Sequence, residues 1–209
     1  MDGGNGSDTL NGGDGNDTIT GGTYAADLRD TVYAGAGDDV VDGGYGNDLL
    51  YGQEGNDTIT GGWGADELIG QAGDDVLNGA VYSDLLYGGD GADFVNGGFG
   101  HDRINGGSGG DTFYHLGVAD HGSDWIQDYA APEGDVLLFG QAGAAADDFQ
   151  VNYAHTEDAQ GERSGDDSVA EAFVIYRPTG QIIWALVDGA AQDDILLRIA
   201  GDGGVFDLV

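Results

Sequence analysis

A nine-residue pattern repeats over residues 3–114, and it limits the possible folds of this chain more than any other feature. The pattern is G-G-x-G-x-D-x-U-x, in which U is an apolar residue. Four extra residues interrupt the third unit, within residues 21–33. The twelve units begin at Gly3, Gly12, Gly21, Ala34, Gly43, Gly52, Gly61, Gly70, Gly79, Gly88, Gly97 and Gly106.

The sixth position of every unit is aspartate and the eighth is always apolar. Because side chains alternate across a strand, a short D-x-U-x strand turns its eighth residue inward and its seventh and ninth residues outward. The aspartates are Asp8, Asp17, Asp30, Asp39, Asp48, Asp57, Asp66, Asp75, Asp84, Asp93, Asp102 and Asp111. The apolar residues are Leu10, Ile19, Val32, Val41, Leu50, Ile59, Leu68, Leu77, Leu86, Val95, Ile104 and Phe113.

Stacked units bring equivalent aspartates about one strand spacing apart, ~4.8 Å. At an effective dielectric constant of ~20, two such charges repel by roughly 3.5 kcal/mol. Repeated along an edge, this repulsion exceeds the whole stability of a small domain, about 5–15 kcal/mol. A hard cation that takes roughly 6–8 oxygen ligands removes the conflict. We therefore expect metal binding and folding to be one event.

The repeat resembles the nonapeptides of RTX (repeats-in-toxin) proteins. This resemblance implies an all-β fold, a right-handed parallel β-roll with two repeats per turn over residues 3–114, and a β-rich cap over residues 115–209. It also implies calcium between stacked loops, held by carboxylates and loop carbonyls. The candidate calcium-binding aspartates are Asp8, Asp17, Asp39, Asp48, Asp57, Asp66, Asp75, Asp84, Asp93, Asp102 and Asp111. The candidate loop glycines are Gly13, Gly15, Gly35, Gly37, Gly44, Gly46, Gly55, Gly62, Gly64, Gly73, Gly89, Gly91, Gly98, Gly100, Gly107 and Gly109.

Since one turn takes two repeats, odd-numbered and even-numbered loops line opposite edges, here called the odd edge and the even edge. Every even loop keeps glycine at its fourth position. The odd edge carries the insertion within residues 21–33 and has Tyr82 at a fourth position, where a positive φ strains a tyrosine. We expect about six strong calcium sites, with roughly ten as the ceiling.

The odd units also carry apolar and aromatic residues at outward positions. A contiguous exposed patch of this kind marks a contact surface. We favour packing against residues 115–209 or against an upstream domain; the alternative is a platform for a polysaccharide or a partner protein. The residues are Tyr45, Trp63, Val81 and Phe99 at third positions, Leu49 and Leu85 at seventh positions, and Tyr33, Tyr51, Ile69 and Tyr87 at ninth positions.

After Tyr114 the period stops, and residues 123–129, 135–139, 149–153, 172–177, 181–187 and 195–199 are predicted to form an antiparallel β cap. Residues 156–168 are predicted to be a polar loop.

The runs D-T-F-Y-H-L-G and G-S-D-W-I-Q-D-Y resemble segments that follow the repeats in secreted RTX proteins. The final V-F-D-L-V resembles the end of type I secretion substrates, although it could also be a last strand. The resemblance implies a one-step exporter and a secreted or cell-surface bacterial protein; the abrupt start at Met1 indicates a fragment with an upstream domain.

Composition excludes several functions. The net charge of −34, with five arginines and no lysine, argues against nucleic acid and anionic membranes. There is no cysteine, no apolar run long enough to span a membrane and no H-E-x-x-H motif, and the G-x-S-x-G at residues 106–110 lies inside a glycine loop. Four histidines, which we expect in loops or at the surface, complete the set: His101, His115, His121 and His155. We therefore predict a calcium-dependent folding module without catalytic activity, with a binding module as the alternative.

Overall fold

The computed structural model describes residues 1–25, 28–118, 121–154 and 169–209, and almost all of its regular structure is β-strand. Residues 26–27 of the insertion, His155 and the proposed loop 156–168 lie outside the described residues. The repeat strands are β1 (Thr9–Asp14), β2 (Thr18–Gly22), β3 (Thr31–Ala36), β4 (Val40–Tyr45), β5 (Leu49–Glu54), β6 (Thr58–Trp63), β7 (Glu67–Ala72), β8 (Val76–Val81), β9 (Leu85–Asp90), β10 (Phe94–Asn96), β11 (Arg103–Ser108) and β12 (Thr112–His115). The later strands are β13 (Asp124–Ile126), β14 (Val136–Phe139), β15 (Phe149–Ala154), β16 (Glu171–Tyr176), β17 (Gln181–Leu186), β18 (Leu196–Ile199) and β19 (Val205–Asp207).

The repeat strands form a parallel β-roll of two sheets. Strands of odd units, β1 to β11, lie side by side in one sheet, and strands of even units, β2 to β12, lie in the other. Equivalent residues of successive turns are paired in register, as Leu50 is with Leu68 and Ile59 is with Leu77. The predicted fold class, a parallel β-roll with two repeats per turn, is confirmed.

The core of the roll is a double column of eighth-position side chains. Eleven of the twelve are at most 1% exposed, and Leu10 in the first turn is 8% exposed. Each is a branched aliphatic residue except Phe113 in the last unit. Because each turn contributes two such residues to a continuous column, a turn is stable only against its neighbours, as in other solenoids.

The cap is partly parallel, which differs from the predicted antiparallel arrangement. Each of the six predicted runs contains a strand. However, β13 and then β17 extend the odd sheet in parallel, and β14 and then β18 extend the even sheet in parallel. Antiparallel pairing is confined to β15–β16–β17 and β18–β19, which close the last turns. The antiparallel prediction is therefore wrong for the strands that continue the roll.

Candidate calcium-binding edges

The glycine-rich loops that join the two sheets have the backbone conformation that the repeat predicts. All sixteen candidate loop glycines have a positive φ. The same conformation is forced on four other residues of the loops, which are Gln53, Gln71, Ala80 and Tyr82. Tyr82, with φ at 86°, confirms the predicted strain on the odd edge, and sequence reasoning missed the other three. These three residues occupy the second position of their units, where the pattern has glycine, and this position could have predicted their positive φ.

The repeat aspartates form a hydrogen-bonded ladder along each edge. The backbone N–H of each aspartate donates to Oδ1 of the aspartate one turn later, at 2.7–2.9 Å. The odd ladder includes Asp30, which was left out of the candidate ligands. On the even edge the ladder continues past the repeats, since Asp111 donates to Asp135 Oδ1 at 2.8 Å. One carboxylate oxygen of each aspartate thus fixes the loop of the turn before it.

The second carboxylate oxygen, Oδ2, is buried and accepts no hydrogen bond at most of these positions. A buried anionic oxygen without a partner is strongly destabilising unless a cation compensates it. This orphaned oxygen is therefore the feature of the fold that fits a hard divalent cation. It occurs in Asp8, Asp39, Asp57, Asp66, Asp75, Asp84, Asp93, Asp102 and Asp111.

Where the first residue of a unit is a glycine, it has no side chain, and the Oδ2 atom of the unit's aspartate can occupy the space beside it. A Cβ atom at Gly70 would clash with Asp75 Oδ2 and would lie 2.6 Å from the Gly88 carbonyl oxygen of the next turn. A carboxylate oxygen and a backbone carbonyl therefore converge at this point. Within the described ranges no three carboxylate or imidazole side chains meet. Backbone carbonyls would have to supply most of the oxygens around a calcium ion, as the resemblance implies.

Burial raises the pKa of the ladder carboxyls in the metal-free fold. The pKa of Asp75 rises to about 7 and that of Asp84 to about 8, because burial disfavours the charged form and neighbouring carboxylates add to the effect. The hydrogen bond from the backbone one turn earlier opposes the shift. Burial also raises the pKa of Asp66, Asp93 and Asp111 to about 6, and neighbouring carboxylates add to the shift of Asp93 and Asp111. The edges are thus poised to release protons when a cation binds.

Two of the described histidines are buried. His115 lies in β12, contrary to the prediction of a loop or surface position, whereas His121 lies in a loop, as predicted. Both are at most 2% exposed, and His115 Nε2 lies 3.2 Å from both His121 Nδ1 and the Gly122 carbonyl oxygen. The N–H of Gly117 donates to His115 Nδ1 at 2.9 Å, so Nε2 carries the proton. Burial lowers the pKa of both imidazoles. The pair is therefore a neutral packing element between roll and cap. Among the described histidines, His101 alone is exposed, as predicted.

The outward aromatic residues of the odd units form stacked rows. Tyr45 stacks on Trp63 with ring centroids 5.9 Å apart, and the edge of Tyr82 meets Trp63 at 6.2 Å. A groove of about 440 Å³ lies beside them, bordered by Leu28 and Arg29 of the insertion. Trp63 remains half exposed, so the described cap residues do not cover it. Packing of this part of the face against residues 115–209 is therefore not found within the described residues, and packing against an upstream domain stays a prediction.

Comparison with known proteins agrees with the fold and the loops. A family model for the RTX calcium-binding nonapeptide repeat matches four times, at residues 1–23, 24–59, 42–77 and 78–113. The chain therefore belongs to the RTX calcium-binding nonapeptide repeat family, whose repeats bind calcium. A search of curated proteins finds no match. Among solved structures, the solution structure of the AlgE6R3 subunit from the Azotobacter vinelandii mannuronan C5-epimerase matches with 19% identity and a TM-score of 0.20, over 92% of this chain and 86% of that one.

Proposed function

We propose that this chain is a calcium-dependent folding module of an exported bacterial protein. The observation that carries the proposal is the row of buried Oδ2 atoms along both edges, whose charge the metal-free fold does not compensate. At low calcium the chain stays unfolded, because stacked carboxylates repel and burial penalises each charge. At extracellular calcium the ions stabilise only the folded chain and drive folding by mass action.

Calcium in this proposal lies between stacked loops of residues 3–114, at about six strong sites with roughly ten as the ceiling. When bound, calcium supplies positive charge and takes up carboxylate and carbonyl oxygens. The chain's own residues do the rest. The positive-φ glycines turn carbonyls toward the edge, the Oδ1 ladder holds the loops in register, and the eighth-position column excludes water. None of these roles is catalytic.

In this proposal the last strand forms after export. Val205–Asp207 forms β19, which pairs antiparallel with β18, and Leu208 N–H donates to the Ile195 carbonyl at 3.0 Å. The V-F-D-L-V segment thus contains a strand in the folded chain, as the alternative interpretation held. A type I exporter would read it before folding. Calcium-driven closure of this end would then stabilise the roll and nucleate folding of an upstream domain.

Within the described residues no helix is long and apolar enough to cross a membrane. In this proposal the partners of the module are calcium, a type I exporter and an upstream domain of the same polypeptide.

Far-UV circular dichroism during a calcium titration tests the proposal, with magnesium as the ion control. A cooperative coil-to-β transition with calcium alone is expected, because magnesium demands tighter octahedral geometry and keeps its waters. Asp75→Asn should shift the midpoint to higher calcium, whereas Asp147→Asn, an equal charge change at an exposed cap residue, should not. A chain already folded in chelator would overturn the proposal.

The aromatic groove favours a second candidate function, a binding module for a polysaccharide. Tyr45 and Trp63 present nearly parallel rings, 10° apart, and flat exposed rings stack on sugar faces. A glycan array in calcium tests it with Trp63→Ala and with Tyr51→Ala, which removes one ring of the separate Tyr33–Tyr51 stack. Lost glycan binding in the first variant alone, with folding intact, would support recognition. Absence of any glycan signal would leave export and folding as the function.

A further inference from the structure

A thirteenth loop stacks on the odd edge beyond the recognised repeats. The sequence H-G-S-D-W-I at residues 121–126 keeps the fourth, sixth and eighth positions of the pattern as Gly122, Asp124 and Ile126. Asp124 follows Asp102 by 22 residues, the same spacing that the insertion produces between Asp8 and Asp30. The family match ends at residue 113, so it does not include this loop.

The backbone of this loop repeats the contacts of the regular loops. The Gly100 N–H donates to the His121 carbonyl at 2.9 Å, as the Gly46 N–H donates to the Trp63 carbonyl at 3.0 Å three turns earlier. Gly122 pairs in parallel with Gly100 and has φ at 109°, the conformation of a fourth-position glycine. The His121 ring packs against the Phe99 ring with centroids 4.6 Å apart, in the place of the next third-position residue. The loop is therefore one more step of the odd edge.

Asp124 is the most completely buried carboxylate of this step. Its exposure is 0%, neither of its oxygens accepts a well-formed hydrogen bond, and it interacts with the backbone and the carboxylate of Asp102. Asp102 is also 0% exposed. Burial raises the pKa of Asp124 well above its usual range, and the Asp102 carboxylate adds to the shift. Two buried carboxylates thus face each other, and a cation between them would relieve their repulsion.

We infer that a calcium ion binds between the 97–102 loop and the 121–124 loop, with Asp102 and Asp124 as its carboxylate ligands. Loop carbonyls complete the oxygen set, as they do in the repeats. The site rests on the proposed calcium-dependent function and extends it into the cap. It ties β13, and through it β17, to the last odd repeat.

The even edge provides the matched control. Asp135 stands one step beyond Asp111, and its Oδ1 accepts the Asp111 N–H at 2.8 Å. Its Oδ2 accepts the Ala130 N–H, also at 2.8 Å, so both oxygens are satisfied within the protein. Glu133, rather than glycine, holds the fourth position there, in a 3-10 turn. Asp135 itself therefore leaves no carboxylate oxygen free for an ion.

Calcium stoichiometry of the full chain, measured by native mass spectrometry at saturating calcium, tests the inference. Asp124→Asn should bind one calcium fewer per chain than the wild type, whereas Asp135→Asn should bind the same number. A full count in folded Asp124→Asn would overturn the inference and leave the proposed function standing. A wild-type chain that binds no calcium would overturn both.

A second measurement covers the case in which Asp124→Asn does not fold. Trp184 is paired with Asp124 across β13 and β17, and its substitution by phenylalanine leaves every proposed ligand in place. Terbium replaces calcium at oxygen sites and emits when a nearby tryptophan is excited. Trp184→Phe should lose a measurable fraction of this emission. Emission equal to that of the wild type would count against an ion beside Asp124.

Discussion

Acid should partly replace calcium in folding this chain. In the fold, burial raises the pKa of six ladder carboxyls to between about 6 and about 8, whereas an unfolded aspartate titrates near 3.8. The folded chain therefore binds more protons than the unfolded chain between these values. By linkage, the free energy of unfolding of the calcium-free chain rises as the pH falls from about 8 toward 4. The six are Asp66, Asp75, Asp84, Asp93, Asp111 and Asp135.

The expected effect is large because the carboxyls act together. At pH 5 most of the six are protonated in the fold and ionised in the unfolded chain, so folding takes up roughly five protons. Each proton contributes about 1.4 kcal/mol per pH unit, which gives a slope of up to roughly 7 kcal/mol per pH unit. Interacting carboxyls titrate in shared steps, which spreads this gain over the window.

Far-UV circular dichroism of calcium-stripped protein, stepped from pH 8 to pH 5, measures the effect. The range stays above the isoelectric point of about 4.1, where loss of net charge favours precipitation. The β signal should grow as the pH falls, and the calcium concentration at the folding midpoint should fall, because the protonated fold needs less calcium to be populated. A β signal that is unchanged or weaker at pH 5 would refute the argument from buried carboxyls.

Two further predictions concern the roll itself and are checked by urea unfolding in saturating calcium. Leu77→Ala should lower the free energy of unfolding by about 2–5 kcal/mol because Leu77 is fully buried, whereas Val76→Ala, at an adjacent residue that is 41% exposed, should cost under about 1 kcal/mol. Ala80→Gly should raise it by roughly 0.5–1 kcal/mol, because Ala80 has φ at 78°; Ala72→Gly, at a loop residue outside the left-handed region, should give no gain. An equal response of the two members of either pair would contradict the structural reasoning.

The nine-residue period made the roll predictable in detail. With two repeats per turn, as the resemblance implies, the 18-residue register between Leu50 and Leu68 and the separation of odd from even strands follow from strand geometry. The positive φ at Tyr82 followed from the same register. These features depend only on local pattern, which the sequence displays directly.

The transition from repeats to cap could not be predicted in the same way. Asp124 and Asp135 stand 22 and 24 residues beyond the preceding aspartates of their edges, Asp102 and Asp111, so the period no longer marks them. Burial of His115 depends on Trp184, whose ring lies 5.9 Å away although the two residues are far apart in sequence. The parallel extension of the sheets by β17 and β18 likewise depends on pairing between strands that are far apart in sequence. Contacts of this range leave little trace in the local sequence pattern.

The direction of the bonds between turns has a mechanical consequence. Hydrogen bonds between parallel strands run along the stacking axis of the roll, and the ladder from Asp57 to Asp75 runs the same way. A force that pulls the two ends of the stack apart therefore loads one turn at a time rather than all turns together. Each turn that peels away frees its 18 residues, or roughly 60 Å of extended chain. The module is mechanically soft along its axis even where ions make it thermodynamically stable.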